Sequence, residues 1–576
     1  MEKGKKFLSD LKLHSDYFKW REEDNRYETW EEACESIIDG HRKKYEGIDI
    51  ETELKFAKNQ LLDKRVLASQ RNLQYRYEQL KKNNTRLYNC VGSLFNSNDL
   101  FQKYFYILLS GCGLDFSLRK QFVNNLSNIQ KRIKGTKTFI IPDSVEGWAD
   151  SLGVLMSSYL VDNQPFPEYF GYDIKFDYSL IRPKGAYISG GFKAPGPEGL
   201  QQSLEKIEKL IEHWLITEGE VIRGILAYDI IMHSSDAVLS GGVRRSATSV
   251  LIDEDDTEMI NAKLGNWRQT NPQRARSNNA IGLYRNKFSQ EQLEDIVKLN
   301  QGDNDISFIF VNDEYEISNP CFSGDMNILT EDGYKSFDNL GECATTIIDG
   351  AGNLKEANIT VSGYKKLIEL KFRNRTSIKC TPQHIFLTTD EQELEAQDLK
   401  GKTLISYEDN DDEFFVEDIL EIKGIHKVYD FAIKDTVLPW GVVEGVIVHN
   451  CREITFRPVL EDGTIAIQAC NLTEINASEC DTIERFNSAC IAGSILGTLQ
   501  AGYTDFKYLG SDTERLIRRE ALIGVSITGW MNQPSLFDAE LLKSGASLVK
   551  SININLAKKI GINPAARTTT VNFCGL

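Results

Sequence analysis

The chain has 576 residues, 41% hydrophobic and 26% charged, with a net charge of −17. This is an ordinary globular composition, long enough for roughly two to four domains. The acidic balance, with no long basic run, argues against backbone-driven nucleic-acid binding but leaves small phosphorylated ligands open. The N-terminus MEKGKKFLSD lacks the apolar core of a signal peptide, and no run of about 18 apolar residues suggests a membrane span. Eleven cysteines are scattered without CxxC spacing. That pattern suits a reducing cytoplasm, where the chain is expected to reside, and offers no metal site.

Residues 1–84 are polar and helical in pattern, and the stretch 53–82 has good helix formers with no Gly or Pro. From residue 85, helical segments alternate with short apolar runs ending in glycine, such as FYILLSGCGLDFSL and SDAVLSGGVRRSATSVLI. In LQQSLEKIEKLIEHWLI, Leu200, Leu204, Ile207, Ile211 and Trp214 fall on one helical face. The alternation predicts an α/β body over 85–320 that resumes over 451–576.

Between them, residues 321–450 change texture. Segments such as TSIKCTPQHIFLTT and KVYDFAIKD alternate, with turn signals every 8–12 residues or so, an all-β signature. The ends of this segment carry chemistry. Cys321 can attack the Pro320 carbonyl to form a thioester, which Cys451 can then take over. Asn450 can cyclise to a succinimide and release the segment, with His449 assisting by proton transfer. An S-to-N shift would then leave a normal Pro320–Cys451 bond.

In these residues the segment resembles an intein. CFSGDMNILTEDGYKSF is similar to the first splicing block. CTPQHIFL is similar to the block whose Thr and His, here Thr381 and His384, activate the first scissile amide. KVYDFAIKD is similar to the block carrying an Asp, here Asp430, and VIVHNC is similar to the terminal block. The resemblance implies a Hint-like mini-intein without a homing endonuclease. Two features depart from the pattern: TVLPW stands where a His often follows the VYDF block, and Pro precedes the first nucleophile.

With the insert removed, the host runs NDEYEISNPCREITFRP, then IAIQACNLTEIN. NPCREI and CNLTEIN resemble the active-site region of single-subunit, adenosylcobalamin-dependent ribonucleotide reductases, and RLYNC, GCGLDFSL, DAVLSGGVRRSAT and NPQRARSNNAIGL agree in order. The resemblance implies a ten-stranded α/β barrel with a radical cysteine on a central loop. By it, Cys451 is the thiyl site, Glu453 the carboxylate that takes the 3′-OH proton, and Asn319 the amide that bonds the substrate. Cys90 and Cys470 match the cysteine pair that supplies electrons. It also implies adenosylcobalamin as cofactor, a ribonucleoside triphosphate substrate, a deoxynucleotide effector and a thioredoxin-like dithiol reductant.

Other readings stay open. The host could be defunct and the chain only a self-splicing precursor. It could instead be a reductase that takes diphosphates and uses a separate metal radical subunit. Ser240, Gly241, Gly242, Arg244 and Arg245 suit a nucleotide phosphate, or form a plain turn with surface arginines. Cys112 is expected to be a packing residue, and Cys34, Cys343, Cys380, Cys480, Cys490 and Cys574 ordinary thiols. The chain ends in NFCGL where the family has a P-S-G-T phosphate loop. That suggests a split or interrupted gene with a separately encoded C-terminal half, a second intervening element, or a truncated sequence.

Overall fold

The structure is a computed structural model. It describes residues 13–14, 17–21, 23–186, 193–239, 248–284, 306–311, 313–315, 322–323, 327–330, 333–336, 343–348, 354–373, 377–380, 385–387, 393–395, 399–404, 414–433, 441–443, 446–448, 456–528, 536–537 and 539–570. Among them no helix is long and apolar enough to cross a membrane, and no cluster of His, Cys, Asp and Glu could hold a metal ion.

After a short antiparallel pair of Trp20–Arg21 and Arg26–Tyr27 come helices α1 (Trp30–Lys44) and α2 (Glu51–Leu62). Thr29 and Glu32 form a reciprocal capping box at the start of α1. Residues 53–82 do not make the continuous helix their composition suggests. After α2, Lys64 takes φ 54°, and Val66–Leu67 become strand β1. Ser69 then caps Gln70–Gln74, and Tyr77–Lys82 follows as a separate helix. Helix propensity is a weak prior, and here a strand pairing with the main sheet overrides it.

That sheet has eight strands among the described residues. After β1 come β2 (Cys90–Leu94), β3 (Gly113–Ser117), β4 (Thr248–Ile252), β5 (Ser277–Tyr284), β6 (Ile306–Val311), β7 (Gln468–Asn476) and β8 (Ile523–Thr528). Their order is β6-β5-β4-β3-β2-β7-β8, with β1 also on β7. Strands β2 to β6 are mutually parallel, as are β7 and β8. The two parallel sets meet antiparallel, β2 against β7. Helix α3 (Leu100–Leu109) carries the crossover from β2 to β3, as a parallel pair requires.

Helices α4 (Val145–Tyr159), α5 (Glu198–Thr217) and α6 (Gly224–Leu239) lie between β3 and β4. On α5 the buried residues include the predicted Leu200, Leu204, Ile207, Ile211 and Trp214. They join one large core with α3, α4 and α6. Asp229 of α6 and Arg274, just before β5, form a buried bidentate pair, Nε–Oδ1 2.8 Å and Nη2–Oδ2 2.6 Å. After β7 follow α7 (Ile483–Ala501), α8 (Ser511–Glu520) and α9 (Ala539–Ile560). In the segment TERLIRREALIGVSIT the helix ends at Glu520. Ala521 turns left-handed at φ 43° and releases the chain into β8.

The described residues thus give an α/β sheet of eight strands where the sequence suggests ten in a barrel. A further lane begins beside β8: Val525 N donates to Thr568 O at 3.0 Å, and Thr569 bridges Val525 in parallel.

The described residues of the insert form a separate sheet of 11 strands. Its frame is the antiparallel pairing of the long strands Leu354–Phe372 and Val416–Ile433, with register shifts at three places. Such irregularities bend and twist a long ribbon. Leu370, Phe372, Leu399, Leu404 and Val416 form one apolar cluster with host residues that include Ala477, Cys480 and Phe486.

Breaking the Asp229–Arg274 pair leaves a buried cation uncompensated. Asp229→Ala is expected to lower the unfolding free energy by about 3–5 kcal/mol, read by urea denaturation. Asp255→Ala, which removes an exposed ion pair with Lys120, should barely move it.

Candidate functional site

Cys90 opens β2 and Cys470 lies near the start of β7. The antiparallel register sets them directly opposite each other, with Val91 facing Ala469 and Gly92 facing Gln468. Directly opposed residues in such a ladder have Cα atoms about 4.5–5.5 Å apart, within the span a disulfide bridges. Both are in the thiol form. Cys470 is buried and Cys90 half-buried. Burial pushes the Cys470 thiol up to about 12, with the Arg567 cation pulling the other way.

The position of this pair is held by a chain of polar contacts on both flanks. Asn89 N donates to Cys470 O at 3.2 Å. Asn471 Nδ2 donates to Leu522 O at 3.0 Å, and Gln500 Nε2 donates to Asn471 Oδ1 at 2.9 Å and Leu472 O at 3.1 Å. Gln500 Oε1 accepts from Ser69 N at 3.0 Å. Ser69 Oγ lies 3.2 Å from both Leu87 O and Asn89 Oδ1. Gln500 on α7 therefore ties the segment after Cys470 to the segment before Cys90. All of Ser69, Asn471 and Gln500 are buried, so each group left unpaired would cost a desolvation penalty.

Over this pair sits Phe456, fully buried, in a cluster with Cys470, Leu472 and Leu522 against which Cys90 packs. A Cβ at Gly92 would lie 2.6 Å from the Phe456 ring. The glycine makes the space into which the ring packs, beside Cys470 and Cys90. Neither residue stood out in the sequence. The signal available was a lone aromatic soon after Cys451 and a glycine two residues beyond Cys90.

Cys451, Glu453 and Asn319 lie outside the described residues, as do Ser240, Gly241, Gly242, Arg244 and Arg245. Cys321, Thr381, His384, His449 and Asn450 do so too. The backbone around the insert's candidates is nevertheless informative. Phe322 is paired with both Cys380 and Tyr429, and Phe386 with Val448. The sequence neighbours of Cys321, Thr381 and Asp430 thus share one rung. The neighbour of His449 pairs with the strand that follows His384. Asp430 itself is in the long strand, opposite Thr360.

Four further cysteines behave as packing groups. Cys34, Cys112, Cys480 and Cys490 are buried, and burial holds each thiol up to about 12. Cys112 Sγ donates to Thr85 O at 3.2 Å.

The fold is similar to that of a class II ribonucleotide reductase. A crystal structure of a B12-dependent (class II) enzyme matches with a TM-score of 0.56 at 15% identity, over 97% of this chain and 72% of that one. In sequence the chain is similar to adenosylcobalamin-dependent ribonucleoside-triphosphate reductases. A probable one from Dictyostelium discoideum is 36% identical over 149 residues, 25% of this chain and 18% of that protein. One from Euglena gracilis is 31% identical over 154 residues, 25% and 19%. A putative one from Mycobacterium phage D29 is 23% identical over 271 residues, 40% and 38%. The chain therefore spans about a fifth to two fifths of the curated relatives it matches. A DnaB intein from Synechocystis sp. PCC 6803 aligns over its whole length with 23% of this chain, at 25% identity and a TM-score of 0.20. No family model matches.

Two outcomes are expected at the thiols. Gln500→Ala should lower stability by about 1–3 kcal/mol, measured by urea denaturation, and should slow disulfide formation between Cys90 and Cys470, measured by mass after alkylation. Because its pKa is raised, Cys470 carries less thiolate than an ordinary thiol at pH 8. Iodoacetamide should label it more slowly than Cys90, as resolved by peptide mass.

Proposed function

We propose that residues 321–450 excise themselves and join Pro320 to Cys451, and that the joined host reduces ribonucleoside triphosphates to 2′-deoxyribonucleotides. The observation that carries the reductase reading is the register of Cys90 opposite Cys470, where β2 and β7 meet antiparallel. The convergence of Phe322, Cys380 and Tyr429 on one rung supports the splicing reading.

In splicing, the Cys321 thiol attacks the Pro320 carbonyl, and the amide nitrogen leaves as an amine. Thr381 and His384 activate that amide, and Asp430 supports the site. Cys451 then displaces the Cys321 thiol, carrying the upstream chain on its own sulfur. Asn450 cyclises with help from His449 and frees the insert, and the Cys451 thioester shifts to its amine.

In reduction, Cys451 as a thiyl takes the C3′ hydrogen of the ribose. Glu453 accepts the 3′-OH proton and Asn319 holds the substrate by hydrogen bonds. The 2′-oxygen leaves as water. Cys90 and Cys470 give up two electrons and close to a disulfide, which a thioredoxin-like dithiol must reopen. Cys451 finally returns a hydrogen to C3′. Ser240, Gly241, Gly242, Arg244 and Arg245 are assigned to nucleotide phosphate, either substrate or deoxynucleotide effector.

Adenosylcobalamin, named in the relatives, is the proposed source of the radical. One cavity among the described residues does not fit it. This cavity, of about 330 Å³ on the N-terminal helices, is lined by charged groups including Arg21, Glu32, Glu35, Asp39 and Arg76. That volume is at the low end for even a drug-sized ligand, and a corrinoid is larger. No step above is therefore assigned to a cofactor contact.

Intact-mass spectrometry of the expressed chain should show a released 321–450 fragment and a ligated product. Only full-length chain under reducing conditions would refute splicing. Cys451→Ser should keep some ligation, since a hydroxyl can still accept an acyl group, and lose deoxynucleotide formation. Substantial turnover by that variant, assayed with adenosylcobalamin and a dithiol, would refute the thiyl assignment.

A further inference from the structure

The insert leaves the host between β6 and β7, and both of its flanks are seated on the host sheet. Upstream, Arg119 Nη1 donates to Glu314 O at 2.9 Å, Tyr315 N donates to Asp313 Oδ1 at 2.9 Å, and the Tyr315 ring lies 6.3 Å from that of Phe122. Downstream, Phe456 is buried against Gly92, and Arg457 N donates to Gln468 Oε1 at 2.8 Å. The flanks also touch each other: Arg457 Nη2 lies 3.0 Å from Asp313 Oδ2, and its guanidinium sits 5.6 Å from the Tyr315 ring centroid.

These contacts exist with the insert still in the chain. We infer that Arg457, with Asp313 and Tyr315, is a positioning clamp at the base of the Cys451 loop. It holds the two splice junctions within reach of one another in the precursor and closes the same loop after ligation. The inference rests on the splicing reading for its first role. Asp313 and Arg457 contact each other, Tyr315 and Gln468. Their contribution is to keep the Pro320 thioester near Cys451, so that transfer outruns hydrolysis and cleavage.

The pair is partly exposed, with side chains 35% and 49% accessible, so its effect should be modest. Arg457→Ala is expected to raise the ratio of cleaved to ligated product by about three- to fivefold, read by intact mass. Arg457→Lys should fall in between, since lysine keeps the charge but not the planar stacking on Tyr315. The swap Asp313→Arg with Arg457→Glu should restore the ratio to within about twofold of the parent chain. A second measurement needs no splicing. In full-length chain blocked by Cys321→Ala and Asn450→Ala, Arg457→Ala should speed hydrogen exchange of the peptide covering 313–315, on the far side of the insert. Unchanged exchange there overturns the clamp. Faster exchange with an unchanged product ratio, or a swap that fails to restore it, overturns its role in ligation. A parent chain that releases no 321–450 fragment overturns the splicing reading instead, and the exchange result still decides whether the clamp exists.

Discussion

The short antiparallel contact between β2 and β7 is the constraint on which the rest of the host depends. Each strand opens a parallel set, and parallel strands have to be joined by crossovers, so neither set can reach the other through a tight turn. The seam therefore has to be specified by side chains. Cys90 and Cys470 face each other there, Gln500 links their flanks, and Gly92 gives up its side chain to admit Phe456. The proposed redox pair would gain from this location. Two thiols fixed by backbone register need little rearrangement to form a bond. The burial that keeps Cys470 protonated also keeps water from competing for a hydrogen-bonding position beside it.

The same seam explains why a large segment can occupy the β6–β7 connection. The two sets are held together by the β2–β7 pairing and by β1, which precedes β2 in the chain and pairs with β7, so the covalent β6–β7 connection does not have to hold them in register. The cost of closing a loop rises only slowly with its length, so a folded domain there adds little strain if its ends are close together. Antiparallel pairing within the insert brings Phe322 and Val448, near its two ends, onto its own sheet. The host flanks meet from the other side through Arg457 and Asp313.

Much of this was legible in the sequence, for particular reasons. The α5 stripe was visible because helical burial repeats with the period of the chain. The insert was visible because its ends carry nucleophiles whose order has chemical meaning, and because its strands alternate. Residues 53–82 misled because good helix formers there give way to a strand that only β7 explains. The final strand β8 was hidden behind the helix-like run of α8, whose end is set by the left-handed Ala521. The cysteine pair was found by resemblance. Composition alone would have left both as buried thiols, since nothing local announces that two residues almost four hundred positions apart share a rung. Arg457 and Asp313 were not legible at all. Each looks like a surface charge, and their meaning comes from a juxtaposition the intervening domain conceals.

Under these proposals Cys451 meets two demands that pull on its surroundings differently. As a splicing nucleophile its sulfur must face the Pro320 carbonyl and ionise. As a radical carrier it must face a ribose, shielded from water, and ionisation is no help. One residue can serve both only if its surroundings change while its anchors do not. The anchors at 313–315 and 456–457 belong to the host sheet and are set before excision. Splicing would join residues 316–320 directly to residues 451–455, which the insert separates in sequence. With the insert immediately before the proposed radical cysteine, the Pro320–Cys451 bond would exist only after the last step of splicing, while the host sheet of the described residues is already formed in the unspliced chain.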